Sequence, residues 1–196
     1  DTQIIYPTIS FSRTRQKGGV LPTWGDSQRY ALSVSNTAWG SDIDFVLLTA
    51  QQSWIRSLGP SHIFIGRWSA GWIESGSFDQ VPPDLRFFVG GDLSIRGYDY
   101  ESISPKNEKG ELEGGSKMYT VSIEYQYNVT GNWWGAAFFD AGQSSHEFNF
   151  GDIKKGAGFG IRWLSPIGLV KLDIAKAVGD PDEDSWKIYF GLGGAL

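Results

Sequence analysis

Tyr119-Thr120-Val121-Ser122-Ile123-Glu124-Tyr125-Gln126-Tyr127 carries aromatic or aliphatic side chains at its odd positions and polar ones at its even positions. A period of two is that of a β-strand with one apolar and one polar face. The alternation recurs downstream, where Ala157, Phe159, Ile161 and Trp163 oppose Gly158, Gly160 and Arg162. Val170, Leu172 and Ile174 oppose Lys171 and Asp173, and Trp186, Ile188, Phe190 and Leu192 oppose Lys187, Tyr189 and Gly191. Upstream, Tyr30, Leu32 and Val34 face away from Ala31, Ser33 and Ser35, and Ile5, Pro7, Ile9 and Phe11 away from Thr8, Ser10 and Ser12. Residues 45–55 and 63–73 are strand-like with a less clean phase, and no stretch sustains a helical pattern. The chain reads as all-β, with about nine strands of roughly ten residues, the length that a tilted membrane strand needs.

Composition fits that reading. The 196 residues include 26 Gly, 9 Trp, 8 Tyr and 12 Phe, with 17 Lys+Arg against 22 Asp+Glu for a net charge of -5. An acidic balance without a basic face is a poor match for nucleic acid. The absence of cysteine removes thiol catalysis and cysteine-held metals, and two distant histidines, His62 and His146, make no imidazole metal site. No apolar run reaches the roughly 18 residues of a membrane helix. Expected connections alternate in length: Ser57–His62, Asn128–Asn132 and Ser165–Gly168 are short, Glu74–Lys117, Gln143–Lys154 and Val178–Asp184 long. Short turns on one side and long loops on the other mark outer-membrane barrels. Gly40–Asp44 and Lys17–Gln28 stand out as exceptions. Trp39, Trp54, Trp133, Trp163 and Trp186 fall near strand ends, where amphipathic rings sit at a membrane interface. The alternative is a soluble, aromatic-rich β-sandwich that acts as a binding module.

Glu74–Lys117 is too long for a hairpin loop, and such connections are usually functional. Phe87, Phe88, Leu93, Ile95 and Tyr98 are too apolar to extend into water, so the loop is expected to fold back into the barrel mouth. Arg96 would then need acceptors inside a polar lumen. Strand parity offers Glu124, on the strand after the loop, and Asp140, the lone carboxylate of the next strand. An arginine could bridge both. The residues also allow an exposed Arg96 in a surface turn, with Glu124 and Asp140 as generic lumen polars.

Ile95-Arg96-Gly97-Tyr98 resembles the [VI]-R-G-[FY] signature in the sixth extracellular loop of the barrel-assembly superfamily, which includes BamA, TamA and the two-partner secretion transporters. Phe139-Asp140-Ala141-Gly142 resembles that family's [FW]-D-x-G, and Gly156–Pro166 its G-x-G-x-R-W-x-S-P strand and turn. Pro22–Tyr30 and Glu124–Gly131 are similar to the TamA branch, the outer-membrane subunits of translocation and assembly modules. The resemblance implies a barrel that helps outer-membrane proteins insert and autotransporters to be secreted, without covalent chemistry or a cofactor. It implies that Arg96, Gly97 and Tyr98 form a loop tip docked through Arg96 on Glu124 and Asp140, near Gly142. Its implied partners are outer-membrane lipid and lipopolysaccharide, unfolded client strands and a TamB-like inner-membrane partner.

A complete member has a 16-stranded barrel preceded by periplasmic POTRA domains. Residues 1–196 are therefore expected to be the C-terminal part of such a barrel, inactive alone, with the POTRA domains and first strands absent. The strand at Ile4–Ser12 would expose an edge that membrane does not tolerate. It is expected to pair with the last strand or with a second copy. The lateral seam would lie at Trp186, Ile188, Phe190, Gly191, Gly193 and Gly194, where glycines either weaken pairing or relieve crowding. Two other chemistries are weak in the sequence. His146 lies beside Ser144 and Ser145 without an orienting partner, and Asp180–Asp184 lacks the glycine and closing glutamate of a calcium loop. That run is expected to be a solvated loop.

Overall fold

The computed structural model describes residues 3–148 and 151–193. Strands β1 (Thr8–Lys17), β2 (Trp24–Ser35), β3 (Phe45–Ser57), β4 (His62–Ser75), β5 (Lys117–Thr130), β6 (Trp133–Ser145), β7 (Lys154–Ser165), β8 (Gly168–Ala177) and β9 (Lys187–Leu192) follow in chain order. They form one antiparallel meander in which every strand pairs with its sequence neighbours. The first eight strands have 10 to 14 residues, enough to cross a bilayer at a tilt, whereas β9 has only 6.

The short connections are 58–61, 131–132 and 166–167, all at one end of the sheet; 36–44, 76–116, 146–153 and 178–186 lie at the other. Short turns face the periplasm and long loops the exterior in such barrels. The expected long connection Lys17–Gln28 shrinks to residues 18–23, because β2 starts at Trp24 and pairs Trp24 with Lys17. That removes one exception to the alternation.

Two edge expectations need correction. The first strand spans Thr8–Lys17 instead of Ile4–Ser12. Pro7 has no N–H to give a ladder, and the preceding residues are held by the 36–44 loop instead. Ile5 N–H donates to Ser41 Oγ at 2.8 Å, and the Trp39 indole to the Ile5 carbonyl at 3.0 Å. The last strand is shorter than Trp186–Gly193: Trp186 lies in the preceding loop, Gly193 follows the strand, and Gly194 is outside the described residues. Moreover, among the described residues β1 and β9 lie at opposite edges of an open sheet and do not pair with each other. A meander closes only when its curvature brings the ends together.

One face presents Tyr30, Leu32, Val121, Ile123, Phe139, Phe159, Ile161 and Leu172, all exposed. The other is buried beneath the 76–116 loop and carries Thr120, Ser122, Glu124, Gln126, Asp140 and Asp173. This inner face is not polar throughout. Ile55, Ile63, Ile65, Trp134 and Leu169 form an apolar cluster with Leu21 near the short turns, and Ile43, Phe45, Ile73, Val81 and Phe87 form another near the long loops. That explains the blurred phase of 45–55 and 63–73, since β3 and β4 are apolar on both faces where they meet these clusters.

The fold makes a test of which face meets lipid. Ile123, midway along the exposed face of β5, should tolerate Arg in water but lose about 2–4 kcal/mol at a bilayer midplane. Reversible unfolding of Ile123→Arg from lipid vesicles should show that loss, and a near-neutral result would favour a soluble sheet.

Candidate functional site

The 76–116 loop turns back onto the inner face and is internally braced. Phe78–Gln80 and Pro83–Leu85 form 3-10 turns, and Phe87 bridges Gly115 while Val89 bridges Ile103. Arg86 staples the loop base by donating to the carbonyls of Val81, Asp79 and Glu113 at 2.8, 2.8 and 3.1 Å. Phe87, Ile95 and Tyr98 are buried, as their apolar character demands; Leu93 is not, and stands exposed at the turn. Beyond it Gly97 adopts φ +104°, a left-handed conformation that favours glycine, where a Cβ would strike the backbone of β8 at Lys176 and Ala177.

Arg96 is 2% exposed and meets three carboxylates. Its Nε and Nη2 donate to the two oxygens of Asp140 at 2.7 and 2.9 Å, a bidentate pair. Nη1 reaches Glu124 at 2.8 Å and Asp173 at 3.2 Å, and the Arg96 backbone N–H adds a bond of 3.1 Å to Asp140. The guanidinium lies over the Phe138 ring, 3.4 Å from its centroid, which replaces lost hydration on one face.

Sequence reasoning placed Glu124 and Asp140 beside this arginine but missed two members. Arg162 of β7, also buried, donates to Glu124 at 2.8 Å and to both oxygens of Asp173. Arg96, Arg162 and the three carboxylates are thus linked in one ion-pair network, with Gln126 donating to Glu124 at 2.7 Å. The available signal was parity, since Arg162 and Asp173 occupy the polar phases of their strands. Their register is what brings them together: Gly160 pairs with Asp173, and Arg162 is two residues further along β7.

Glycines make room for this lattice. On β7 a Cβ at Gly156 would collide with the Arg96 carbonyl, one at Gly158 with the Phe138 ring, and one at Gly160 with the Asp173 carboxylate. Gly142 serves a different purpose, since its missing Cβ lets β6 approach the β5 backbone at Tyr119 and Thr120.

The loop tip also holds the last strand. Gly97 N–H donates to the Tyr189 hydroxyl, which donates to the Tyr98 carbonyl, both at 2.8 Å; Lys187 reaches Asp99 at 2.8 Å. Of the seam residues, Trp186, Ile188 and Phe190 are exposed, and a Cβ at Gly191 would meet nothing closer than 3.8 Å, so crowding does not require glycine there. Asp180 is more than a solvated loop residue: it accepts from Lys154 and, at 3.1 Å, from the Tyr98 hydroxyl. The Lys154 ammonium holds its carboxyl below the usual carboxylate range. Ser144 donates to the Phe87 carbonyl and Ser145 to that of Glu147, while His146 faces Glu113 and the Phe78 ring; no serine–histidine pair forms. Among the described residues no group of acidic or imidazole side chains has the arrangement to hold a metal ion.

An antiparallel sheet of membrane-length strands, apolar outside, with a long exterior loop locked by arginine inside, defines an outer-membrane β-barrel of the kind that carries an inward-folded loop. The chain belongs to the Omp85 superfamily: residues 7–195 match the model of the Omp85 superfamily domain. It is 32% identical over 94% of its length to the outer membrane protein assembly factor BamA of Nitratidesulfovibrio vulgaris, and 23% identical over 95% to that of Neisseria meningitidis serogroup B. It covers 25% and 28% of those proteins, so it spans about a quarter of the relatives it matches. Among solved structures, BamA from Haemophilus ducreyi lacking POTRA domains 1–3 superposes with a TM-score of 0.78 at 20% identity, over 93% of this chain and 41% of that one. The chain is thus an outer-membrane protein of the Gram-negative type.

Removing the arginine leaves Asp140 without its bidentate partner, a change that costs about 3–5 kcal/mol when a buried pair is broken. Arg96→Ala should therefore make the 76–116 loop more sensitive to limited proteolysis; unchanged cleavage would separate the loop's order from the ion lattice. The Asp180 tie has a sign of its own. A carboxyl depressed in the folded state stabilises above its unfolded pKa and loses that contribution as pH falls through the folded value. Hydrogen-exchange protection at residues 97–99 should hold at neutral pH and drop on acidification below about pH 4. Asp180→Asn should lower it already at pH 7.

Proposed function

We propose that this chain is the C-terminal, loop-bearing part of a barrel that inserts and folds outer-membrane proteins, and that it works as a TamA-type subunit in autotransporter secretion. One observation carries the reading: the loop locked by Arg96 also grips β9, a strand of 6 residues at a free sheet edge. A short edge strand offers backbone N–H and C=O groups to an incoming client strand by β-augmentation. Ile188 and Phe190 face outward beside that edge, so a client paired there would already present its apolar side to lipid. The glycine at 191 leaves the edge thinly packed. Membership of the superfamily and the assembly-factor names of the relatives support the general activity. The similarity of Pro22–Tyr30 and Glu124–Gly131 to the TamA branch supports the narrower one.

In this reading the remaining strands of a 16-stranded barrel supply the other half of the seam, and POTRA domains face a TamB-like inner-membrane partner. Lipopolysaccharide packs against the exterior side, and a second copy paired at the free edges is the other arrangement that would cover them. Deleting the gene in its own bacterium should distinguish the two levels. A TamA-type subunit predicts loss of surface autotransporters while bulk outer-membrane proteins hold near normal. A general fall of all outer-membrane proteins, or loss of viability, would replace it with a BamA-type role.

A further inference from the structure

The outward residues nearest the short-turn ends differ around the sheet. From β4 to β8 they are His62, Phe64, Tyr127, Trp133, Trp163 and Val170, an aromatic and aliphatic rim in which Trp133 and Trp163 stack at 5.6 Å. Along β1 to β3 the corresponding face carries Arg13, Arg15 and Lys17, then Trp24 and Asp26, then Arg56. Register fixes this grouping, since Lys17 and Arg56 both pair with Trp24, and Arg15 pairs with Asp26. Alternation puts these positions in line with Ile9, Phe11, Tyr30 and Leu32, exposed apolar residues further up the same face.

Three cations converge on one indole. Arg56, Arg15 and Lys17 lie 4.9, 5.6 and 5.8 Å from the Trp24 ring centroid. Stacking on a ring orients a guanidinium without consuming its edge donors. A single carboxylate, Asp26, accepts from Arg56 at 2.7 Å and from Arg15 at 3.3 Å. Arg13 and Lys17 form no ion pair among the described residues. Four cations against one carboxylate leave this part of the rim strongly positive, in a chain that is acidic overall.

We propose that this patch binds the phosphate of an anionic phospholipid in the periplasmic leaflet. The vertical order matches such a lipid: acyl chains along Ile9, Phe11, Tyr30 and Leu32, and the phosphate nearer the short turns, among Arg13, Arg15, Lys17 and Arg56 around the Trp24 ring. Cations that border hydrocarbon gain most from an anion that itself sits at the interface. Lipopolysaccharide packs on the opposite, long-loop side and is not the occupant. An acidic periplasmic protein would have to approach the outward face, where lipid already lies.

The test uses the folded chain in detergent micelles doped with phosphatidylglycerol or phosphatidylcholine, with retained lipids counted by native mass spectrometry. The unaltered chain should retain phosphatidylglycerol preferentially. Arg13→Gln combined with Lys17→Gln, which breaks no ion pair, should cut that preference on the order of tenfold. Heat-modifiable gel mobility confirms folding, and Lys17→Gln alone serves if the pair folds poorly. Equal retention of both lipids, or an unchanged preference in the variants, would overturn the proposal. Displacement of the lipid by equimolar inorganic phosphate would also overturn it, by reducing the patch to a general anion site.

Discussion

An arginine carried on a loop can enter the interior of a β-sheet only if carboxylates already wait there. In this protein Asp140, Glu124 and Asp173 supply three, from β6, β5 and β8, and Arg162 of β7 shares two of them. Neither arginine is removable without leaving buried carboxylates short of a partner, and the carboxylates in turn compensate both buried guanidinium groups. The loop, four strands and the lattice are therefore mutually dependent. The glycines of β7 follow from that requirement, because the loop backbone and the Phe138 platform occupy the volume that side chains there would need. Such a lattice is weak evidence for stability as such, but it specifies one docked arrangement of the loop.

Much of this was legible in the residues. The period of two from Tyr119 to Tyr127 determined the fold class, and parity along β5 and β6 singled out Glu124 and Asp140 as lumen carboxylates. The length of the loop and its apolar content pointed inward. What could not be read was pairing in space. Arg162 and Asp173 occupy polar phases like many other residues, and only the register between β7 and β8 makes them an ion pair within the lattice around Arg96. The inner apolar clusters were hidden for a related reason, since a strand that is apolar on both faces loses its alternation. Leu93 departs from the expected burial because a turn can expose one apolar residue while its neighbours Ile95 and Tyr98 are buried.

Strand edges are the feature least legible in the residues. Alternation from Trp186 suggests a full-length last strand, yet among the described residues the β9 ladder on β8 runs from Lys187 to Leu192, with one more bond from the Gly193 N–H to the Leu169 carbonyl. The missing ladder is partly replaced by side chains, because the Tyr189 hydroxyl and Lys187 tie the strand to the loop tip. Loop and last strand therefore share their hydrogen bonds. If the edge of β9 receives client strands, as proposed, the docked loop sets where that edge stands, and the ion lattice acts at a distance through Gly97 and Tyr98. The opposite rim of the outer face, with its basic cluster around Trp24, would fix how the barrel sits in lipid while the seam works.

The central claim is that Arg96 and Asp140 act as one unit that holds the loop in place. A double-mutant cycle on unfolding from lipid vesicles, using Arg96→Gln, Asp140→Asn and both together, measures that unit directly. The structure predicts a coupling of about 2 kcal/mol or more, with the double variant much less destabilised than the sum of the single ones. Additive losses, with coupling below about 0.5 kcal/mol, would contradict it and reduce the lattice to separate lumen charges.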